Sequence, residues 1–234
     1  MSATLRSVFI LFCAALAIAG AELAKTNDRV QYPLNPLYLH YLFKPLTTLG
    51  IFFLALCSTP PVNTKYRQAI LAGIVFSLLG DVLLMLPVTL LRQGFLLGLL
   101  SFLCAHICFL RGLVSDARFA RHILAFVVVA LLGIVNLIVL WPDLLAAMQV
   151  PVVAYVCLLL CMTAQAISRG MELRTADSRL ALLGGVFFML SDCLLAYNRF
   201  HSPIAHSPLL VLSSYYLALW LIASSVKSSI ADTL

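Results

Sequence analysis

Charge is scarce in this chain: only 10% of its 234 residues are Asp, Glu, Lys or Arg, against about 25% in an ordinary soluble domain. A disordered chain, which stays open through charge and low hydrophobicity, is excluded. There is no CxxC pair, so neither a zinc ribbon nor a thioredoxin-type redox centre is indicated. The seven cysteines, Cys13, Cys57, Cys104, Cys108, Cys157, Cys161 and Cys193, fall in apolar stretches and read as free packing residues. Cys104/Cys108 and Cys157/Cys161 have helical spacing, but no His/carboxylate cluster of ligand spacing stands beside them, so no metal site is expected. The sequence also has no GxSxG elbow, no HExxH helix, no Gly-rich phosphate loop and no haem motif. No cofactor is called for.

What the chain has instead is apolar surface, 63% of its residues, far more than a soluble domain of this length can bury. The reading is an integral membrane protein. Tested against the roughly 20 residues that a helix needs to cross a hydrocarbon core, eight runs qualify: Ser7–Ala24, Leu37–Ser58, Gln68–Val88, Gln93–Leu113, His122–Trp141, Met148–Ser168, Arg179–Arg199 and Ser207–Val226. Short links leave no room for an extramembrane domain, so residues 1–234 form one polytopic unit. The net charge of +6 then marks topology and does not call for nucleic acid.

Cytoplasmic loops keep an excess of Lys and Arg. One face of an eight-span bundle receives Arg6, Lys65, Arg67, Arg111, Arg118, Arg121, Arg169, Arg174, Arg179 and Lys227; the other receives Lys25, Arg29, Arg92 and Arg199. Both termini are therefore expected in the cytoplasm. The first span has a rival reading as a signal peptide cleaved after Ala17-Ile18-Ala19, but the even span count agrees with the charge bias and favours retention. Lys44 lies inside a span and marks no side.

The sequence repeats itself. Residues 71–84, LAGIVFSLLGDVLL, align without a gap on residues 182–195, LLGGVFFMLSDCLL, with eight of fourteen positions identical, the Asp among them. Leu matches are cheap in an apolar alphabet; Gly, Phe and Asp in one register are not. Two four-helix halves, about 1–115 and 116–234, would run in the same direction, a parallel repeat about an axis along the membrane normal. Asp81 and Asp192 would then lie at one depth, each thirteen residues into its span, roughly 20 Å at helical rise, in the outer half of the bilayer.

A carboxylate in hydrocarbon costs about 2.5–3.5 kcal/mol on insertion scales and turns inward toward partners or water. Two at one level admit two readings: a staple with Lys44, or a shared polar cavity in which one acts as acid and the other as base. Other polar groups gather at that depth. Glu22 closes the first span, Lys44 sits before Pro45 in the second, and Asn198 and Arg199 follow Asp192 by about two turns. His106 lies deeper, toward the cytoplasmic half. Tyr155 occupies the repeat position of Lys44 and can donate into the same cavity.

Lys44-Pro45, Gly80-Asp81 with Leu83-Leu84-Met85, His106, and above all the segment 191–200, SDCLLAYNRF, resemble the YhhN-type lysoplasmalogenase family of multi-span membrane proteins. The resemblance runs from Glu22 to the last span. It implies cleavage of the vinyl ether bond of lysoplasmalogens to a fatty aldehyde and a glycerophospho-ethanolamine or glycerophospho-choline, with no known metal or organic cofactor. The partners it implies are a lysophospholipid entering from the bilayer and the membrane lipid itself. A bacterial inner membrane is the expected location, a eukaryotic endomembrane the alternative, and the oligomeric state stays open.

The chemistry suits the residues. A vinyl ether is hydrolysed by protonating its β-carbon, adding water to the oxocarbenium ion and collapsing the hemiacetal, a division of labour like that of paired carboxylates in glycoside hydrolysis. Asp81 and Asp192 are the candidate catalytic pair, with the roles between them open. Lys44 is a candidate for holding phosphate or tuning a carboxyl; Glu22, Asn198 and Arg199 for fixing water and headgroup; His106 and Tyr155 for tuning. A proton-coupled small-molecule or lipid transporter is the rival reading of acidic residues in a repeated bundle.

Overall fold

The computed structural model describes residues 3–26, 35–87 and 89–228. Its α-helices are α1 (Ala3–Thr26), α2 (Leu37–Leu56), α3 (Thr64–Met85), α4 (Gly94–Leu113), α5 (Ile123–Leu140), α6 (Ala146–Leu173), α7 (Ala176–Ala196) and α8 (Ser207–Ser224). All eight are long and apolar enough to span a membrane, and the chain is a multi-pass integral membrane protein. Each expected span coincides with one helix. Val88, the expected end of the third, and Arg29, one of the topology charges, lie outside the described residues.

Several helices begin or continue beyond their apolar runs, because caps set where a helix stops. The Asn63 side chain accepts from the Tyr66 N–H and starts α3 four residues before Gln68. Thr175 does the same for Ser178 at the start of α7. At its far end, α6 continues past Ser168 to Leu173, where Arg174 takes up a left-handed conformation.

The packing order of the helices is a ring. α2 lies against α3, α3 against α4, α4 against α6, α6 against α7, α7 against α8, and α8 returns to α2; α1 sits outside in the groove between α2 and α8, while α5 rests chiefly on α6. Inside the ring, Phe102, Phe109, Phe188 and Tyr215 meet edge to face with centroids 5.7–6.4 Å apart. Such packing needs close helix approach, and glycine supplies it. A Cβ on Gly80 would fall 2.6 Å from the Phe102 ring, and one on Gly133 of α5 would fall 2.1 Å from Leu160 of α6. Gly80→Ala should therefore lower the melting temperature in detergent by the equivalent of roughly 1–3 kcal/mol of overpacking; unchanged melting would show that Phe102 has room to move.

At the end of the bundle away from Asp81, a buried ion cluster ties the α4–α5 link to α6 and α7. Arg169 grips Asp116 with two N–H groups at 2.8 and 2.7 Å, reaches Asp177 at 3.0 Å and lies over the Tyr66 ring at 4.7 Å. Read in the sequence as a loop-side topology charge, Arg169 is fully buried; Asp116 and Asp177 match its charge, while its Nη1 has no hydrogen-bond partner among the described residues.

Candidate active site

Asp81 and Asp192 each lie four residues before the end of their α-helix, α3 and α7. Beyond Asp192 the chain widens into a π turn, Tyr197–His201, closed by the Ser202 N–H on the Tyr197 carbonyl. Turns of this kind re-aim side chains and recur at functional sites. Here the turn carries Asn198 and Arg199 to the mouth of a cavity. The Asn198 side chain accepts from the Ile204 N–H at 3.0 Å and fixes the loop into α8. The Arg199 guanidinium lies over the Phe95 ring at 4.9 Å.

Two cavities occupy this end of the bundle. One, of about 430 Å³, is the more polar of the two; Lys25, Lys44, Asp81, Arg92, Asp192 and Arg199 are in its wall, among apolar side chains such as Leu91 and Leu212. The other, of about 400 Å³, lies between α4, α5, α6 and α7 and is apolar, faced by Leu99, Leu137, Val156, Leu160 and Met189, with Asn136, Tyr155 and Asp192 bringing the polar groups. Leu84, Phe95, Phe102, Asp192 and Leu195 belong to both walls. Asp192 thus stands where a polar space meets an apolar one.

The two carboxyls differ in their surroundings. Asp81 is 1% exposed, with Lys44 Nζ 3.4 Å from Oδ1 and the Thr48 and Tyr215 hydroxyls each donating to Oδ2 at 2.8 Å. Thr48 and Lys44 are one turn apart on α2, where Pro45 has no N–H to give to the preceding turn. Asp192 is 11% exposed and has one short hydrogen bond, from the Tyr155 hydroxyl to Oδ2 at 2.6 Å. Among the described residues no donor reaches its Oδ1. His106 Nε2 lies 3.8 Å from Oδ2; its ring is fully buried, edge-on to Tyr155 at 5.0 Å and Phe188 at 4.9 Å, and neither ring nitrogen has a hydrogen-bond partner among the described residues.

Of the residues picked out in the sequence, Lys44, Asp81, Asp192, Asn198 and Arg199 line the polar cavity, Tyr155 lines the apolar one, and His106 stands behind Asp192. Glu22 is elsewhere. Its carboxylate accepts the Leu209 N–H at 3.0 Å and meets His206 at 3.3 Å, holding the start of α8, where a negative charge complements the helix dipole. Sequence reasoning misses Thr48 and Tyr215, the hydroxyl donors to Asp81; the helical spacing of Thr48 from Lys44 is the available signal, and Tyr215 has none. Lys25 and Arg92 read in the sequence only as topology charges.

Residues 39–226 match the model of the YhhN family. The chain is 32% identical over 202 residues to a Homo sapiens protein named lysoplasmalogenase TMEM86A, covering 83% of this chain and 81% of that one. It is 30% identical over 188 residues to the Sus scrofa lysoplasmalogenase TMEM86B, covering 79% and 73%, and 28% identical over 171 residues to the Homo sapiens lysoplasmalogenase TMEM86B, covering 72% and 68%. No solved structure matches. With the family model covering four-fifths of its length and these relatives most of it, the chain belongs to the YhhN family.

Proposed function

We propose that this protein is a membrane-embedded hydrolase that cleaves the vinyl ether bond of lysoplasmalogens, releasing a fatty aldehyde and a glycerophospho-ethanolamine or glycerophospho-choline. The observation that carries the proposal is Asp192, common to a polar and an apolar cavity. A lysoplasmalogen has the same division, an alkenyl chain on one side of its reactive bond and a glycerophosphate on the other. With the chain between α5 and α7 and the headgroup among the cations, the vinyl ether comes to Asp192. The names of the relatives support the same reaction and lend nothing to transport.

In this mechanism Asp192 is the acid and Asp81 the base. Asp192 Oδ1, open to the cavity, carries a proton to the β-carbon of the vinyl ether, leaving an oxocarbenium ion at the α-carbon beside the new carboxylate. Water adds to the α-carbon and gives its proton to Asp81, which uses three of its about four acceptor positions for Lys44, Thr48 and Tyr215. The hemiacetal then collapses: its hydroxyl proton returns to Asp192, the bond to the glycerol oxygen breaks, and that oxygen takes the proton from Asp81. Both carboxyls are restored and one water is consumed. Tyr155 orients Asp192, with the His106 ring packed against Tyr155; Lys44 holds Asp81.

The bundle is read as two halves in parallel repeat, with both termini cytoplasmic. In support of the repeat, each Asp takes a partner from the preceding helix of its own half, Lys44 or Tyr155, at equivalent repeat positions, and has a neighbour on the fourth helix of the other half, the Tyr215 hydroxyl at 2.8 Å or the His106 ring at 3.8 Å.

Purified protein given lysoplasmenyl-ethanolamine, its ester-linked counterpart and its saturated alkyl-ether counterpart should release aldehyde from the first alone. Only the vinyl ether has a carbon that protonation turns into an oxocarbenium ion. Aldehyde from none of the three, or fatty acid from the ester, would overturn the reading.

A further inference from the structure

Among the described residues, the wall of the polar cavity carries more positive than negative charge. Four cations, Lys25, Lys44, Arg92 and Arg199, face two carboxylates, Asp81 and Asp192, and among the described residues only Lys44 of the four is ion-paired, with Asp81. Among the described residues no acid lies within ion-pair distance of Lys25, Arg92 or Arg199. Glu22, one turn before Lys25 on α1, is taken by the start of α8. Lys25 instead donates to the Ser207 hydroxyl at 2.6 Å. Arg199 is laid against Phe95, which is itself edge-on to Phe200 at 5.6 Å. Stacking fixes the plane of a guanidinium while leaving its N–H edge free.

Three exposed cations, from α1, the α3–α4 link and the turn after α7, line one concave space. That arrangement is stabilised by an anion, and a guanidinium fork matches the oxygens of a phosphate. We propose that Lys25, Arg92 and Arg199 form a subsite for the phosphate of a lysophospholipid, so that headgroup charge, rather than chain contact alone, sets the depth at which the lipid stops. The inference rests on the hydrolase reading for its substrate but not for its test. The phosphate belongs to a lipid held in the cavity; free phosphate compounds and the phosphates of the surrounding bilayer are the other sources of the same chemistry.

Equilibrium binding in detergent free of phospholipid separates them. The non-hydrolysable alkyl-ether lysophospholipid should bind the wild type tighter than the alkylglycerol of the same chain, which has no phosphate, and glycerophosphoethanolamine should compete weakly. In R92A/R199A the preference for the phosphate-bearing lipid should fall about tenfold or more, the range expected when charged hydrogen bonds are lost, while affinity for the alkylglycerol holds. Lys25→Ala should give a smaller loss of the same kind. A wild type that binds the two lipids equally, or a double variant that keeps the full preference, overturns the subsite. A double variant weakened equally toward both lipids assigns the arginines to folding and overturns it too. Selective binding by a wild type that releases no aldehyde from a vinyl ether would leave the subsite standing and remove the hydrolase.

Discussion

Asp192→Asn should remove most turnover, about 10²–10⁴-fold, the usual contribution of a general acid or base, while leaving the folded protein and its lysolipid affinity near wild type. The variant keeps the shape of the side chain, and its amide oxygen still accepts the Tyr155 hydroxyl that lies 2.6 Å from Asp192 Oδ2. What it loses is the proton. Asp192 carries no short ion pair, its distance to His106 being 3.8 Å, so the substitution strands no cation and melting should shift little. Aldehyde release measured beside thermal unfolding in detergent checks both halves of the expectation. Wild-type turnover in the Asp192→Asn variant would exclude Asp192 as the acid; failure of that variant to accumulate would assign the residue to the fold.

The eight membrane-spanning helices were legible because a hydrocarbon core imposes a length that runs of Leu, Val and Phe announce directly. The candidate site was partly legible for a related reason: Lys44, Asp81 and Asp192 are conspicuous only because charge is so costly there. The gapless repeat went further and put Tyr155 at the position of Lys44, and the structure gives each of them an aspartate partner. Hydroxyls are a different matter. Tyr215 donates to Asp81 from 134 residues away, and a membrane tyrosine that packs and one that holds a carboxylate look alike in sequence. Lys25 and Arg92 were hidden by their place at span ends, where a cation that marks topology and one that lines a cavity occupy the same positions. Helix ends were missed where Asn63 and Thr175 cap, because hydropathy stops at the first charge and a helix stops at its caps.

Asp81 should respond differently from Asp192, because it is both the proposed base and half of an ion pair. Asp81→Asn leaves Lys44 buried at 7% exposure with its counter-ion gone, and breaking a buried pair from one side costs about 3–5 kcal/mol. Poor accumulation and a lowered melting temperature are expected, and lost activity in that variant alone would not separate catalysis from folding. The double variant Lys44→Met/Asp81→Asn does separate them. With the cation replaced by an apolar chain of similar length, the stranded charge disappears, and Thr48 and Tyr215 can still donate to the remaining amide oxygen. Melting should return toward wild type. If Asp81 takes the proton from water, turnover should stay down by about 10²-fold or more in a protein that is folded and still binds lysolipid. If Asp81 only neutralises Lys44, the double variant should regain activity together with stability, and the base would have to be sought elsewhere in the polar cavity.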